Sequence, residues 1–382
     1  MESNLTKSNV TAILNELQAN NDVSFKKTKS PKGFLQFLKS GIGNVYTASK
    51  GYDGYFYAIK TDGTIAKYEN VTSTTALESA SWDVAILGMP VKIIKSPEGI
   101  AVASTFGTET TQGRWYFLET ITSTPTKVYE TPASQNSRFV PTLAISSYTN
   151  GLNGMILAGV YGSGPANRDL ILSVDGGKTF KVIKQTRNLD AVNSHWHASV
   201  FDIYHGLIWA SEGDQSTNRA MHVSDDFGAT WYTFAEGVQQ PTAIVPFANR
   251  LVLGNDEDFV GLKYLEKPQF FTNYADWVSD ITPLKRFRPG VQGYAHYAET
   301  PVFFGNEAYI GYFQYSPIEP NVLMGTGDGG QTWYHLFISQ RNTGNTLKVS
   351  QLVGLDDDYL YGLRDIATGQ YELLFSEKPI WE

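Results

Sequence analysis

The chain of 382 residues contains no cysteine, which excludes disulfide bonds, thiol nucleophiles and cysteine-ligated metal sites. Basic residues are also in the minority, since 30 lysines and arginines accompany 38 aspartates and glutamates and give a formal net charge of −8. No basic stripe recurs along the sequence, so we expect no nucleic-acid partner. Long apolar runs are absent as well, and the sequence therefore predicts neither membrane insertion nor a signal peptide.

Helical periodicity is largely confined to the N-terminus. Apolar residues at helical spacing predict one short helix between Ser8 and Asp22, followed by a lysine-containing linker. We therefore divide the chain into residues 1–33, a helix and linker, and residues 34–382, one β-rich domain. The predicted helix either packs against that domain or attaches it to a larger assembly, and both interpretations remain open.

Three copies of one short pattern recur in the remaining sequence, namely SVDGGKTF, SDDFGATW and TGDGGQTW. Their central aspartates are Asp175, Asp226 and Asp328, separated by 51 and then 102 residues. A fixed period near fifty indicates one supersecondary unit repeated along the chain. In each copy the aspartate can accept backbone N–H bonds across a tight turn, and the glycine two residues later can adopt a positive φ. We expect these three aspartates to be structural and the final aromatic ring to tuck beneath a neighbouring unit.

This pattern resembles the Asp-box, or BNR repeat, of sialidase-like β-propellers. Weaker hairpins and pairs of apolar strands fill the rest of the period, so each unit reads as four short antiparallel strands. The predicted fold class is therefore all-β, a single β-propeller of four-stranded antiparallel blades with a short N-terminal helix. Seven hairpins favour seven blades, whereas six blades result if the N-terminal strands complete the last one.

The segment from Asn193 to Gln215 contains three of the six histidines. His195 and His197 share one face of an extended strand, because side chains alternate with period two. Together with a carboxylate such as Asp202 they could hold a divalent metal at the mouth of the propeller channel. In the alternative interpretation, one histidine bonds a backbone carbonyl and another lies in a turn. No other cofactor is implied.

A longer stretch, from Asn193 to Asp258, resembles a poorly characterised Asp-box group found in bacteria and bacteriophages. The resemblance rests on the His-x-His at 195–197, the Gly-Asp at 213–214, the repeat at 224–231 and the Gln-Pro-Thr at 240–242, although 202–204 lacks the proline of that group. It implies a virion protein, made in the host cytoplasm and released by lysis. A cytoplasmic protein is the alternative.

The leading functional hypothesis is a structural or receptor-binding propeller of a phage virion that recognises carbohydrate on the host surface. Residues 1–33 would attach it to other virion proteins. Sugar faces stack on aromatic rings and acidic side chains bond the hydroxyl groups. The predicted ligand-binding residues are Trp196, Trp209, Asp214, Tyr294 and Tyr297, and we expect Trp196→Ala and Tyr297→Ala to weaken binding without changing the thermal transition.

The alternative is a sialidase-like glycoside hydrolase acting on cell-surface or cell-wall polysaccharide. Arg138, Arg219 and Arg288 can be drawn as a clamp for a sugar carboxylate, and bidentate arginines suit that role. Two catalytic carboxylates would also be needed. The candidates, among which the sequence prefers no pair, are Asp202, Glu212, Asp214, Asp256 and Asp258. The sequence leaves enzymatic activity undecided.

Overall fold

The computed structural model describes residues 30–32, 35–106, 112–132, 137–139, 145–148, 154–162, 168–187, 194–214, 219–234, 241–257, 261–266, 282–286, 296–314, 322–338, 349, 351–367 and 370–382. The predicted helix between residues 8 and 22 lies outside the described residues. The described part is almost entirely β-structure and its strands pair mostly antiparallel, which confirms the predicted all-β class.

Most strands belong to seven units, each formed by four antiparallel strands. The first four units are β2 (Leu38–Lys50), β3 (Phe56–Lys60), β4 (Thr64–Tyr68) and β5 (Glu78–Ser81); β6 (Met89–Ser96), β7 (Gly99–Phe106), β8 (Gln112–Leu118) and β9 (Thr126–Glu130); β11 (Ile145–Tyr148), β12 (Met155–Gly159), β14 (Asp169–Ser173) and β15 (Lys181–Gln185); and β16 (Trp196–Asp202), β17 (Leu207–Glu212), β18 (Ala220–Ser224) and β19 (Tyr232–Phe234).

The last three units are β20 (Pro241–Pro246), β21 (Arg250–Glu257), β22 (Gly261–Glu266) and β23 (Thr282–Arg286); β24 (His296–Phe304), β25 (Glu307–Gln314), β26 (Val322–Thr326) and β27 (Tyr334–Ile338); and β28 (Gln351–Leu355), β29 (Tyr359–Ala367) and β30 (Gln370–Glu377) with part of β2. The described elements outside the units are β1 (Pro31–Lys32), β10 (Ser137–Arg138), β13 (Tyr161–Gly162), β31 (Ile380–Trp381) and a one-turn helix, α1 (Val84–Leu87). Within the described chain, no helix has the length and apolarity needed to cross a membrane.

Strand β2 joins the two ends of the chain. Its first residues pair with β30, as Leu38 opposite Phe375 illustrates, and its last residues pair with β3. The N-terminal strand therefore completes the seventh unit and then begins the first. A second pairing, β1 with β31, also joins the two ends. Because β1 includes Pro31 and Lys32, this pairing reaches into the predicted linker segment 1–33.

The hydrophobic core of the described residues is divided into seven clusters, and each cluster lies between two units that follow one another. The seventh cluster joins the last unit to the first, where the rings of Phe56 and Tyr361 meet edge to face with centroids 4.7 Å apart. Since each unit is covered on both faces, its middle strands are continuous apolar runs rather than alternating ones. In β12, for example, all five residues are buried.

The three repeated aspartate turns connect the third and fourth strands of the third, fourth and sixth units. The backbone N–H of the threonine four residues later donates to Oδ1 at 2.9, 2.8 and 3.0 Å in the turns of Asp175, Asp226 and Asp328. The hydroxyl of the same threonine donates to Oδ2. Each carboxylate therefore points into its own turn. The three lie on separate units and cannot form one acidic site.

Each aspartate turn also presses against the preceding unit. The glycines two residues after the aspartates have φ between 77° and 94°. A Cβ on Gly228 would lie 2.6 Å from the side chain of Ile183 in the third unit, so a larger residue would clash there as well as adopt an unfavourable φ. The following rings also contact the preceding unit, since Phe180 packs on Trp115 with centroids 5.0 Å apart and the Trp231 indole donates to the carbonyl of Ile183.

Candidate functional site

The local course of β16 brings two imidazoles together. His195 directly precedes β16 and His197 is its second residue, with a bulge in the pairing between Trp196 and Ala198. Because side chains alternate along an extended strand, both histidines lie on one side. Their rings stack with centroids 4.7 Å apart and an interplanar angle of 22°, and both side chains are buried.

Asp214 joins these histidines through the hairpin of β16 and β17. Trp196 pairs with Glu212, so the chain just beyond Glu212 returns to the beginning of β16. Gly213 turns the chain there with φ of 85°, and its N–H donates to the carbonyl oxygen of His195. Oδ1 of Asp214 then lies 3.4 Å from Nε2 of His195 and 2.8 Å from Nε2 of His197. We call His195, His197 and Asp214 the histidine cluster; their ligand-type atoms all lie within 4.8 Å of one another.

Residues from the third unit and its connections complete the surroundings of this cluster. The carbonyl oxygen of Gly162 lies 3.0 Å from Nδ1 of His195. The ring of Tyr161 contacts the His195 ring with centroids 4.0 Å apart, and the guanidinium of Arg138 lies over the Tyr161 ring, 5.7 Å from its centroid. Asp214 keeps about a third of its side chain exposed, at 31%. The histidine cluster is therefore buried on the imidazole side and open to solvent on the carboxylate side.

The electrostatics of Asp214 are set by two opposing effects. Partial burial alone would raise the pKa of Asp214, because it disfavours the charged carboxylate. The hydrogen-bonding contacts and the charge of His195 and His197 act in the opposite direction and prevail, so the pKa of Asp214 lies well below its usual range. Asp214 is consequently an anion at neutral pH, which suits a ligand for a cation.

Glu212, two residues before Asp214, belongs to a second buried network. Arg187 donates from its backbone N–H and from Nε to the two oxygens of Glu212, and Nε2 of His222 lies 3.3 Å from the same carboxylate. Burial would raise the pKa of Glu212, but His222 and Arg187 outweigh it and hold that pKa below its ordinary value. The carboxylate is fully buried and engaged by Arg187, so it is not placed to act on a sugar.

The structure does not bring Asp202 to the histidines, although the sequence suggested it as their carboxylate. Asp202 ends β16 at the other extremity of the strand. Its Oδ2 accepts a hydrogen bond from Nε1 of Trp209 at 3.1 Å, and its Oδ1 accepts from the backbone N–H of Tyr204. Asp202 therefore holds a turn and an indole in place. The carboxylate beside the two imidazoles is that of Asp214, in the position predicted for Asp202.

The two predicted sugar-stacking tryptophans are core residues. Trp196 and Trp209 have no exposed surface, and their indole N–H groups donate to the carbonyl oxygen of Arg168 and to Asp202. Neither ring can meet a ligand without unfolding its surroundings, which corrects both predictions. Tyr297 lies in β24 and Asp256 in β21, but only the backbone of these two residues is described. The other predicted residues Tyr294, Arg288 and Asp258 lie outside the described ranges.

A cavity of about 600 Å³ lies where the first strands of six units converge, and sequence reasoning missed it. Its lining comes from the C-terminal parts of β2, β6, β16, β24 and β28 and from the beginning of β11. Three lysines contribute to this lining, which we call the lysine cavity: Lys50, Lys92 and Lys95. Tyr52 and Tyr204 add aromatic surface to it. Lysines within the apolar run VKIIKS of β6 were the available signal in the sequence.

The three lysines have different surroundings. Lys50 forms an ion pair with Asp356, and Nζ of Lys95 donates to the carbonyl oxygen of Ser96 at 2.7 Å. Lys92 has no ion pair to another described residue. Burial lowers the pKa of Lys92 to about 8. The pKa of Lys92 is lowered because the amine lies deep in the protein, even though part of the side-chain surface faces the cavity.

The histidine cluster and the lysine cavity lie at opposite ends of β16. His195 precedes the strand, whereas Val200, Phe201 and the residues after it line the cavity. A seven-residue strand is about 20 Å long. The protein therefore has two separate candidate sites, a small one with metal-ligand chemistry and a larger cationic one.

No family model and no curated protein matches the chain. Among solved structures, Sqt1 of Saccharomyces cerevisiae is similar, with 7% sequence identity, a TM-score of 0.50, and coverage of 90% of this chain and 88% of that chain. Raptor of Chaetomium thermophilum is 12% identical with a TM-score of 0.48; the match covers 90% of this chain, which spans 29% of the Raptor chain. The Sqt1 match supports a β-rich fold that resembles propeller-like WD40 proteins, and it supports nothing about function.

Proposed function

We propose that the seven units form one closed seven-bladed β-propeller whose aspartate turns are Asp-box repeats. Two observations support closure. The first is the seventh hydrophobic cluster, which packs the last unit against the first. The second is β2, which contributes a strand to both of these units. A closed ring leaves no sheet edge exposed for pairing with other chains.

We further propose that the propeller is a receptor-binding or structural component of a phage virion and binds carbohydrate of the host surface. The observation that carries the binding proposal is the lysine cavity. Its volume of about 600 Å³ suits several sugar residues or a drug-sized ligand, and it combines aromatic rings with a few polar groups. Lys92 and Lys95 favour a polysaccharide that bears carboxylate or phosphate groups.

Binding is better supported than hydrolysis by the described carboxylates. A glycosidase requires two carboxyl groups facing one sugar, about 5–10 Å apart. Glu212 is bonded to Arg187 inside the protein, and Asp202 is bonded to Trp209 in the core. In the lysine cavity, Asp356 pairs with Lys50 and accepts two backbone N–H bonds of its own turn. Asp356 and its neighbour Asp357 are the two carboxylates of the described cavity lining, and they are adjacent in one turn with Asp356 already engaged, which disfavours them as an acid–base pair on either side of a sugar.

The virion location rests on the resemblance of residues 193–258 to the bacterial and phage Asp-box group. In this proposal residues 1–33 attach the propeller to other virion proteins. Pro31 and Lys32 pair with β31, so a deletion that tests attachment should remove residues 1–29 only. The truncated chain should then fail to join the virion while keeping its thermal transition; a truncated chain that still joins the virion would contradict the attachment role.

The experiment for the binding proposal offers the purified full-length protein two immobilised bacterial polysaccharides of similar length, one acidic and one neutral. Retention and the release of new reducing ends are measured together. We expect retention on the acidic polymer without release, loss of retention with Lys92→Met, and no change with Lys181→Met, which alters an exposed lysine of β15. Retention that survives Lys92→Met would contradict the role of the cavity. Release of reducing ends would instead support the hydrolase.

A further inference from the structure

The hydrogen bonding of His195 fixes which of its nitrogens carries a proton. Nδ1 lies 3.0 Å from the carbonyl oxygen of Gly162, which can only accept, so Nδ1 must donate. In the neutral imidazole Nε2 is then an acceptor with its lone pair directed away from Gly162. That atom lies 3.4 Å from Oδ1 of Asp214, a second acceptor, and it makes no hydrogen bond of regular geometry within the described chain.

Two acceptors that face each other at this distance require a cation. His197 brings a second imidazole to the same place, because its Nε2 lies 2.8 Å from the same oxygen of Asp214. A neutral His197 can donate from Nε2 to Asp214, but His195 could then meet the carboxylate only as a charged ring, in a buried stack with ring centroids 4.7 Å apart. One divalent ion instead lets both imidazoles stay neutral and direct their Nε2 lone pairs, together with the anionic Asp214, to a single shared cation.

We propose that His195, His197 and Asp214 bind a divalent transition-metal ion, with zinc as the ion whose ligand preferences match this set. Zinc binds neutral imidazole nitrogen and carboxylate oxygen at about 2.0–2.2 Å, which places tetrahedral ligand atoms roughly 3.3 Å apart. The nitrogen-to-oxygen distances of 3.4 and 2.8 Å are close to this spacing. Small side-chain adjustments therefore suffice to close the ligand set around the ion.

The surroundings of the cluster match those of metal-binding histidines. Such histidines donate their second ring N–H to a carbonyl or carboxylate, which fixes the tautomer and orients the ring. The carbonyl of Gly162 fulfils this role for His195. On the other side, Nε of Arg219 donates to the backbone carbonyl of Asp214 at 3.0 Å and fixes the carboxylate-bearing turn.

Among the described residues the proposed metal has three protein ligands, and the carboxylate side of the cluster is open to solvent. Asp214 is 31% exposed, whereas both imidazoles are buried. A fourth position would therefore be filled by water or by an external oxygen or nitrogen ligand. Because the cluster lies at the other end of β16 from the lysine cavity, this site is independent of the proposed carbohydrate site.

The test uses full-length protein stripped with a chelator and titrated with Zn²⁺ alone. We expect binding of one ion per chain, a rise in the thermal transition, and visible d–d absorption bands when Co²⁺ replaces Zn²⁺. Asp214→Asn keeps the shape of the side chain, and we expect it to weaken Zn²⁺ affinity at least about tenfold. His205→Ala is the matched control, because His205 lies near Asp202 at the distant end of β16 and should leave affinity unchanged.

Two results would overturn the proposal. One is wild-type protein that binds less than a stoichiometric amount of Zn²⁺ with no shift of the thermal transition, which would leave the cluster as a hydrogen-bonded group without a metal. The other is stoichiometric binding that Asp214→Asn and His197→Ala leave unchanged, which would place the ion elsewhere. Because the wild-type titration is informative by itself, the test remains decisive even if one variant fails to fold.

Discussion

Trp196 and Trp209 lie on opposite faces of the fourth unit. Trp196 packs in the hydrophobic cluster shared with the third unit, and Trp209 packs in the cluster shared with the fifth. Both indoles are fully buried and both use their N–H groups in hydrogen bonds within the protein. These two side chains therefore join three consecutive units, and their contribution is to stability.

Trp196→Ala should consequently destabilise the protein. Truncating a fully buried tryptophan typically costs about 3–5 kcal/mol, because apolar contacts are lost and a cavity remains. The measurement is the free energy of unfolding in denaturant. Tyr52→Ala is the control, because Tyr52 is 43% exposed at the lysine cavity and its removal should cost less than about 1 kcal/mol. A Trp196→Ala protein as stable as wild type would place this indole outside the core.

The aspartate turns predict a matched pair of variants at adjacent positions. Asp226 accepts hydrogen bonds from the backbone and hydroxyl of Thr230, whereas neighbouring Asp225 is exposed. Asp226→Ala should lower the free energy of unfolding by about 1–2 kcal/mol, and Asp225→Ala by less than about 0.5 kcal/mol. Equal effects of the two substitutions would show that the turn does not depend on its carboxylate.

The effect of Asp226→Ala should also depend on pH. Burial alone would raise the pKa of Asp226, but the hydrogen bonds from Thr230 and Ser224 outweigh it, and this pKa is lowered. A carboxyl group with a lowered folded-state pKa stabilises the protein above its ordinary pKa of about 4 and loses that contribution as the pH falls through the folded-state value. The stability difference between wild type and Asp226→Ala should therefore shrink in acid. A difference that stays constant down to about pH 3 would contradict this linkage.

Local patterns in the sequence predicted the features that depend on neighbouring residues. The aspartate turns were predictable because each aspartate bonds to a threonine only four residues later. The period-two alternation of a strand likewise predicted that His195 and His197 lie together. Alternation alone would place Trp196 on the side of Ala198 and Val200, which pack against the fifth unit. A bulge between Trp196 and Ala198 instead turns its indole into the cluster shared with the third unit, and a local pattern does not reveal such a bulge.

Features that depend on strand pairing were not accessible from local patterns. Asp202 is five residues from His197, yet along an extended strand this separates them by about 16 Å. Asp214 is much farther along the chain, but the pairing of Trp196 with Glu212 brings it back. The lysine cavity is lined by six units, and although Lys92 and Lys95 interrupt an apolar run, that run does not show which other strands meet them. Predicting the histidine cluster needed the register of a hairpin, and predicting the lysine cavity needed the arrangement of six units around it.

Lys92 should make the stability of the protein depend on pH in the alkaline range. Burial lowers the pKa of Lys92 to about 8, below the ordinary lysine value of about 10.4. Between these values the unfolded chain binds more protons than the folded protein, so the free energy of unfolding should rise with pH. Lys92→Met should remove this rise and Lys181→Met should preserve it. Retention of the wild-type protein on an acidic polysaccharide should fall as the pH rises through about 8, because the folded protein loses the charge of Lys92 there.

Gly327 and Trp381 form a contact that leaves no room for a side chain. A Cβ on Gly327 would lie 2.4 Å from the indole ring, whose Nε1 donates to Glu307 at 3.1 Å. Gly327→Ala should displace the ring and destabilise the protein by about 1–3 kcal/mol. In contrast, the nearest atom to a Cβ on Gly354 is 3.9 Å away, so Gly354→Ala serves as the control that should fold normally.

A double-mutant cycle separates this clash from a general effect of alanine at position 327. If the ring of Trp381 is the obstacle, Gly327→Ala should cost little in a Trp381→Ala background, and the two substitutions should be strongly non-additive. Thermal unfolding of the four proteins measures the coupling. Because β31 carries Trp381 and pairs with β1, the displaced ring should also loosen the pairing of the chain ends. Faster proteolysis of the C-terminal residues in Gly327→Ala, but not in Gly354→Ala, would support that consequence, whereas additive effects would assign the cost to the backbone.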